Sequence, residues 1–155
     1  GKNPLRNNLL TFDEIMIINA IAILHAKADD IMTAVQLGMW LKKYMEEKIA
    51  DGTMKIAKYP MILYNLSNWL GRENCHKEAL KMADLGIRFC IRYGNLAFFP
   101  ILVFNKGGAL AELGKIDQAK KYLHQSVTIF EAMDRPDLIQ VATDWCKLHY
   151  RIDIQ

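Results

Sequence analysis

The side chains best suited to directed chemistry in this sequence are carboxamides beside aromatic rings: Tyr64-Asn65 with Asn68 close behind, and Phe104-Asn105. A carboxamide offers both a donor and an acceptor, so it can hold a peptide backbone whatever side chains that backbone carries. The adjacent ring supplies apolar contact area. Met61 and Ile101, one turn ahead of each ring, complete the set, because residues three and four apart share a helix face. Each Asn also has a structural reading, a hydrogen bond to a neighbouring helix, since buried polar groups must find partners. The aromatics fit an ordinary core stripe as well as a ligand wall.

Other chemistry finds little support. His25 and Asp29 lie four apart with no third ligand or nucleophile, which suggests a surface pair. His76, His124 and His149 are scattered, and there is no HExxH, GxSxG, Gly-rich phosphate loop or paired carboxylate in an apolar run. Arg88 and Arg92 sit one turn apart and read as solvated. Cys75, Cys90 and Cys146 are odd in number and irregularly spaced, which suggests neither a disulfide framework nor a zinc site and fits a reducing, cytoplasmic setting. No enzyme activity, metal or cofactor is expected.

The elements that must position the carboxamides are written twice. Tyr59-Pro60-Met61-Ile62-Leu63-Tyr64-Asn65 returns forty residues later as Phe99-Pro100-Ile101-Leu102-Val103-Phe104-Asn105, class for class. The same offset relates Ser67 to Gly107, Leu70 to Leu110, Asn74 to Gly114 and Ala79 to Ala119. Such a period marks stacked repeats that bury their apolar faces against neighbouring units.

Helical spacing and breakers divide the chain accordingly. Residues 1–11 read as a flexible leading segment. Thr11 with Glu14 forms a capping-box signature for a helix from Phe12 to about Ala28. A second helix carries the stripe Ile31, Ala34, Val35, Gly38, Leu41 and Met45. Asp51-Gly52 breaks the pattern. Helices then run through Leu70, from Cys75 to Tyr93, from Leu96 to Leu113, from Ile116 to Met133 and from Asp137 to about Ile152. Pro60 and Pro100 belong in first turns, where a missing N–H costs little. The expected architecture is all-α, a right-handed superhelix of about seven helices in stacked antiparallel pairs. It forms a single domain over 12–155, with repeats at 12–50, 54–94 and 96–134 and a capping helix at 136–152. Trp40, Trp69 and Trp145 are expected to anchor helix contacts.

At 155 residues, with 52% hydrophobic and 24% charged residues, the chain can bury one core. Its net charge of +3 is spread along the sequence rather than gathered on one face, which argues against a nucleic-acid surface of its own. The longest apolar run, Ile15 to Leu24, is too short and too polar to span a bilayer, so no membrane partner is expected. The chain opens Gly-Lys-Asn without an initiator Met, which reads as a fragment with part of its function elsewhere.

The runs Tyr64-Asn65-Leu66-Ser67 through Leu70, Asn74 and Ala79, and Phe104-Asn105 through Gly107, Leu110, Gly114 and Ala119, resemble tetratricopeptide repeats. A weaker earlier copy has Ala22, Asp29 and Ala34 in the matching places. The period of forty exceeds the usual, about 34 residues, and the extra residues fall in the second helix of each pair and the turn after it. Long repeats that open with an aromatic-Pro pair resemble the C-terminal sensor domains of Gram-positive, peptide-responsive, Rgg-like transcription regulators with an N-terminal helix-turn-helix domain. The resemblance implies a peptide or protein segment held in a concave groove by Asn65, Asn105, Asn68, Tyr64, Phe104, Met61 and Ile101. It also implies contact with DNA only through a domain this chain lacks; a homodimer is a further candidate partner. The alternative is a scaffold or dimerisation module without a ligand, pairing through helix one or seven.

Overall fold

The computed structural model describes residues 10–50 and 57–155. No strand occurs among them, and seven α-helices account for most of their length. The expected stacked antiparallel helix pairs are present, and the fold is tetratricopeptide-like. The sequence suggested one domain over 12–155; the chain divides into two compact units, 1–54 and 55–155. Most of the leading segment and the Asp51-Gly52 break lie outside the described residues.

The first unit is a helix pair, α1 (Phe12–Lys27) and α2 (Ile31–Ala50). The capping box forms: the Glu14 amide donates to Thr11 Oγ1 at 3.2 Å and the Thr11 amide to Glu14 Oε2 at 2.7 Å, satisfying two otherwise orphaned donors. Ile31, Ala34, Gly38, Leu41 and Met45 are buried, and Val35 is half-buried at the stripe's edge. His25 pairs with Asp30 (Nδ1 to Oδ2, 3.0 Å). Asp29 takes the left-handed backbone, φ 65°, that reverses the chain.

The second unit stacks α3 (Tyr59–Arg72), α4 (His76–Tyr93), α5 (Phe99–Glu112), α6 (Ile116–Ala132) and α7 (Pro136–Trp145). Each packs on the next, and α3 also touches α5. Pro60 and Pro100 occupy the first turn of their helices. The chain reverses at Asn74, Gly94, Gly114 and Asp134, all left-handed and evenly spaced at twenty residues, half the sequence period. After each, the following amide donates to the carbonyl four residues before the left-handed one: Cys75 to Leu70, Asn95 to Cys90, Lys115 to Leu110 and Arg135 to Phe130. This wide bond closes a helix end whose last carbonyls would otherwise be unpaired. Asp30 to His25 repeats it in the first unit.

Small residues set the spacing of the stack. A Cβ on Gly107 would lie 2.7 Å from Leu123 Cδ2 and 3.2 Å from the Leu123 amide nitrogen, so α5 and α6 meet at a distance only glycine permits. Ala79 and Ala119, on the partner helices, are buried. Leu63, Leu66, Leu102 and Leu123 are fully buried, each contributing roughly 1.5–3 kcal/mol by leaving water.

The expected helix from Asp137 to Ile152 takes a different form. The α-helical part ends at Trp145 and Cys146–Tyr150 forms a wider π-helical turn. Arg151 is left-handed, and the Ile152 amide donates to Cys146 O, one residue wider than at the other ends. The tail then folds back, burying Ile152 and Ile154 against Leu123, Val127 and Phe130. Local spacing favours continued helix; removing two isoleucines from water outweighs it. Trp69 is buried as expected, whereas Trp145 remains 46% exposed.

Candidate ligand-binding cavity

Within the second unit, α3, α5, α7 and the π-turn surround a cavity of about 600 Å³, inside the range of small-molecule pockets. Of the residues read from the sequence, Tyr64, Asn68, Ile101, Phe104 and Asn105 line it. Met61 and Asn65 are half-buried on α3 but are not among the lining residues. At 3.6 residues per turn, the lining positions on α5 centre roughly 60° further round than those on α3. The reason is position in the stack: α5 is flanked by α3 and the π-turn, whereas α3 faces the cavity from one side. Equal places in the repeat therefore face differently, and Asn105 looks inward where Asn65 turns away.

Asn105 makes the helix-to-helix hydrogen bond that its structural reading expected. Its Nδ2 donates to Ser67 Oγ at 2.7 Å, and Ser67 donates in turn to the Tyr64 carbonyl at 2.8 Å, a relay joining the first helices of the two repeats. That bond uses one amide proton. The other proton and Oδ1 are available to an occupant. Asn68 is exposed at the rim.

The wall that sequence reasoning missed comes from the C-terminal end. Leu138, Val141, Trp145 and Tyr150 line the cavity, and the first three share a helical face that was legible as spacing but had no repeat partner. Tyr150 reaches Gly108: a Cβ there would lie 2.6 Å from its hydroxyl oxygen. The Tyr150 oxygen accepts the Trp145 indole N–H at 3.2 Å. Burial raises the pKa of the Tyr64 and Tyr150 hydroxyls above the usual range, which keeps both protonated and able to donate. At the rim, Arg72 and Glu112 occupy matching places in the two repeats, and His76 Nε2 lies 3.7 Å from Glu112 Oε2.

The described residues contain no group of three or more His, Cys, Asp or Glu placed to hold a metal ion. All three cysteines are free; Cys90 and Cys146 are buried, and burial pushes the Cys146 thiol up to about 11. No helix among the described residues is long and apolar enough to cross a membrane.

A helical-repeat protein of the tetratricopeptide-like class, with a cavity between the first helices of its repeats, is what this fold and site define. Among solved structures, the chain is similar to Bacillus thuringiensis PlcR, whose crystal structure is a complex with the peptide PapR7 and DNA. The TM-score is 0.72 at 18% identity, covering 88% of this chain and 48% of that one. The chain thus shares that fold and spans about half the length of that protein. No protein-family profile and no curated protein matches the sequence.

Proposed function

We propose that this chain is a non-enzymatic ligand-sensing domain that takes a peptide or protein segment in its cavity, in a cytoplasmic regulator whose DNA-binding part lies in a longer protein. The observation that carries this is the pair of carboxamides, Asn68 and Asn105, that lines a cavity of about 600 Å³ together with Tyr64 and Phe104. Carboxamides read main chain and rings supply area, so such a wall suits an extended peptide. Similarity to a protein solved with a bound peptide and DNA supports the same reading.

The test is binding of a fluorescent peptide selected against the whole chain from a random display library. Replacing Asn68 and Asn105 together by Ala removes two neutral hydrogen bonds, each about 1 kcal/mol, so affinity should fall roughly thirtyfold. Asn65→Ala, off the cavity wall, should leave it within about twofold. Unchanged affinity in the double variant, with circular dichroism showing intact helix, refutes the assignment.

A second reading, pairing with another copy, is favoured by exposed apolar rows on two helices: Ile17, Ile21 and Leu24 on α1, and Val141 and Trp145 on α7 with Leu148 in the turn beyond.

A further inference from the structure

The cavity is electrically uneven. Glu112 lies in the last turn of α5, where the helix's own carbonyls add negative potential. Its carboxylate is partly exposed, and His76 Nε2 at 3.7 Å is beyond good hydrogen-bond length. Arg72, at the matching place one repeat earlier, also lines the cavity but is already engaged in an interaction of its own.

Rings line the same cavity as this carboxylate. Gly108, one turn back on α5, has no side chain, and the Tyr150 hydroxyl fills the space where a Cβ would sit. Trp145 is hydrogen-bonded to that hydroxyl, and both rings line the cavity with Glu112. The charge of Glu112 adds to the upward push that burial exerts on Tyr150. A carboxylate that shares a cavity wall with an indole and a phenol suits a planar cation. A guanidinium can pair with both carboxylate oxygens and stack on an aromatic face at once.

We infer that the peptide occupying this cavity presents an arginine side chain to Glu112, against the rings of Trp145 and Tyr150. The inference rests on the peptide reading above and specifies the residue that selects among peptides. Asn68 and Asn105 hold the backbone; Glu112 reads the side chain.

The experiment uses pools of capped pentapeptides that differ only in carrying arginine or citrulline, its neutral isostere, titrated calorimetrically against the whole chain. The arginine pools should bind about tenfold or more tightly than their citrulline counterparts. Glu112→Gln should abolish that advantage, whereas Glu131→Gln, exposed on α6 and away from the cavity, should preserve it. Because Glu112 is partly exposed, the Gln variant should fold, as circular dichroism would verify. Equal binding of arginine and citrulline pools, or an advantage that survives in Glu112→Gln, overturns the inference and leaves peptide binding standing. Failure of every pool to bind overturns the peptide reading and this inference together.

Discussion

Replacing Gly108 by Ala should destabilise the protein when Tyr150 is present and stabilise it when Tyr150 is Phe. In the native chain the new Cβ would stand 2.6 Å from the Tyr150 hydroxyl oxygen, with Cζ next at 3.3 Å and Cε2 at 3.7 Å. Carbon and oxygen do not approach so closely without displacement, and Tyr150 is held from both sides. Its hydroxyl is bonded to Trp145, and the turn it closes is pinned by the buried Ile152 and Ile154. Overpacking of this kind costs about 1–3 kcal/mol. Against it stands the gain of Ala over Gly inside a helix, roughly 0.5–1 kcal/mol, for a net loss on the order of 1 kcal/mol.

Tyr150→Phe removes the offending oxygen and leaves Cζ at 3.3 Å as the nearest atom, a contact that a slight ring shift relieves. The same Gly108→Ala change should then show its helix gain. Loss of the Trp145 hydrogen bond is common to both Phe variants and cancels in the cycle, so the coupling between positions 108 and 150 should be about 1–3 kcal/mol. Urea unfolding followed by circular dichroism measures it, with slopes compared to establish that the transition is unchanged. A coupling below about 0.5 kcal/mol, the ordinary limit of additivity, would refute the placement of the π-turn over α5 and with it the C-terminal wall of the cavity.

Two further outcomes follow from the packing. Ile154→Ala, at a position 2% exposed in the core beside Leu123 and Phe130, should cost about 2–5 kcal/mol; a loss below 1 kcal/mol would mean the tail is not seated as described. If a second copy covers the exposed rows, Leu24→Glu or Leu148→Glu should shift the mass measured by light scattering toward the monomer without loss of helix, whereas a native chain that is already monomeric at high concentration would exclude the pairing.

Much of this architecture was legible because it is decided within a turn or two of chain. The forty-residue period, the prolines that open α3 and α5, the Thr11–Glu14 box and the reversals at Asn74 and Gly114 depend on backbone conformation and on hydrogen bonds between near neighbours. The sequence therefore states them directly. Even the even spacing of left-handed residues, extended to Gly94 and Asp134, was present in residue type once the half-period is known.

What only the tertiary structure decided is which equivalent residues end in equivalent places. Asn65 and Asn105 match in sequence, yet only Asn105 lines the cavity, because each repeat packs against a different neighbour. The far wall rests on Tyr150 meeting Gly108 and on a tail that prefers burial to continued helix. Glu112 gains its setting from His76, Trp145 and Tyr150, all distant in sequence. Helix ends obey local conformational energies, whereas the site arises from side chains brought together by the burial of others. No period in the sequence encodes that convergence.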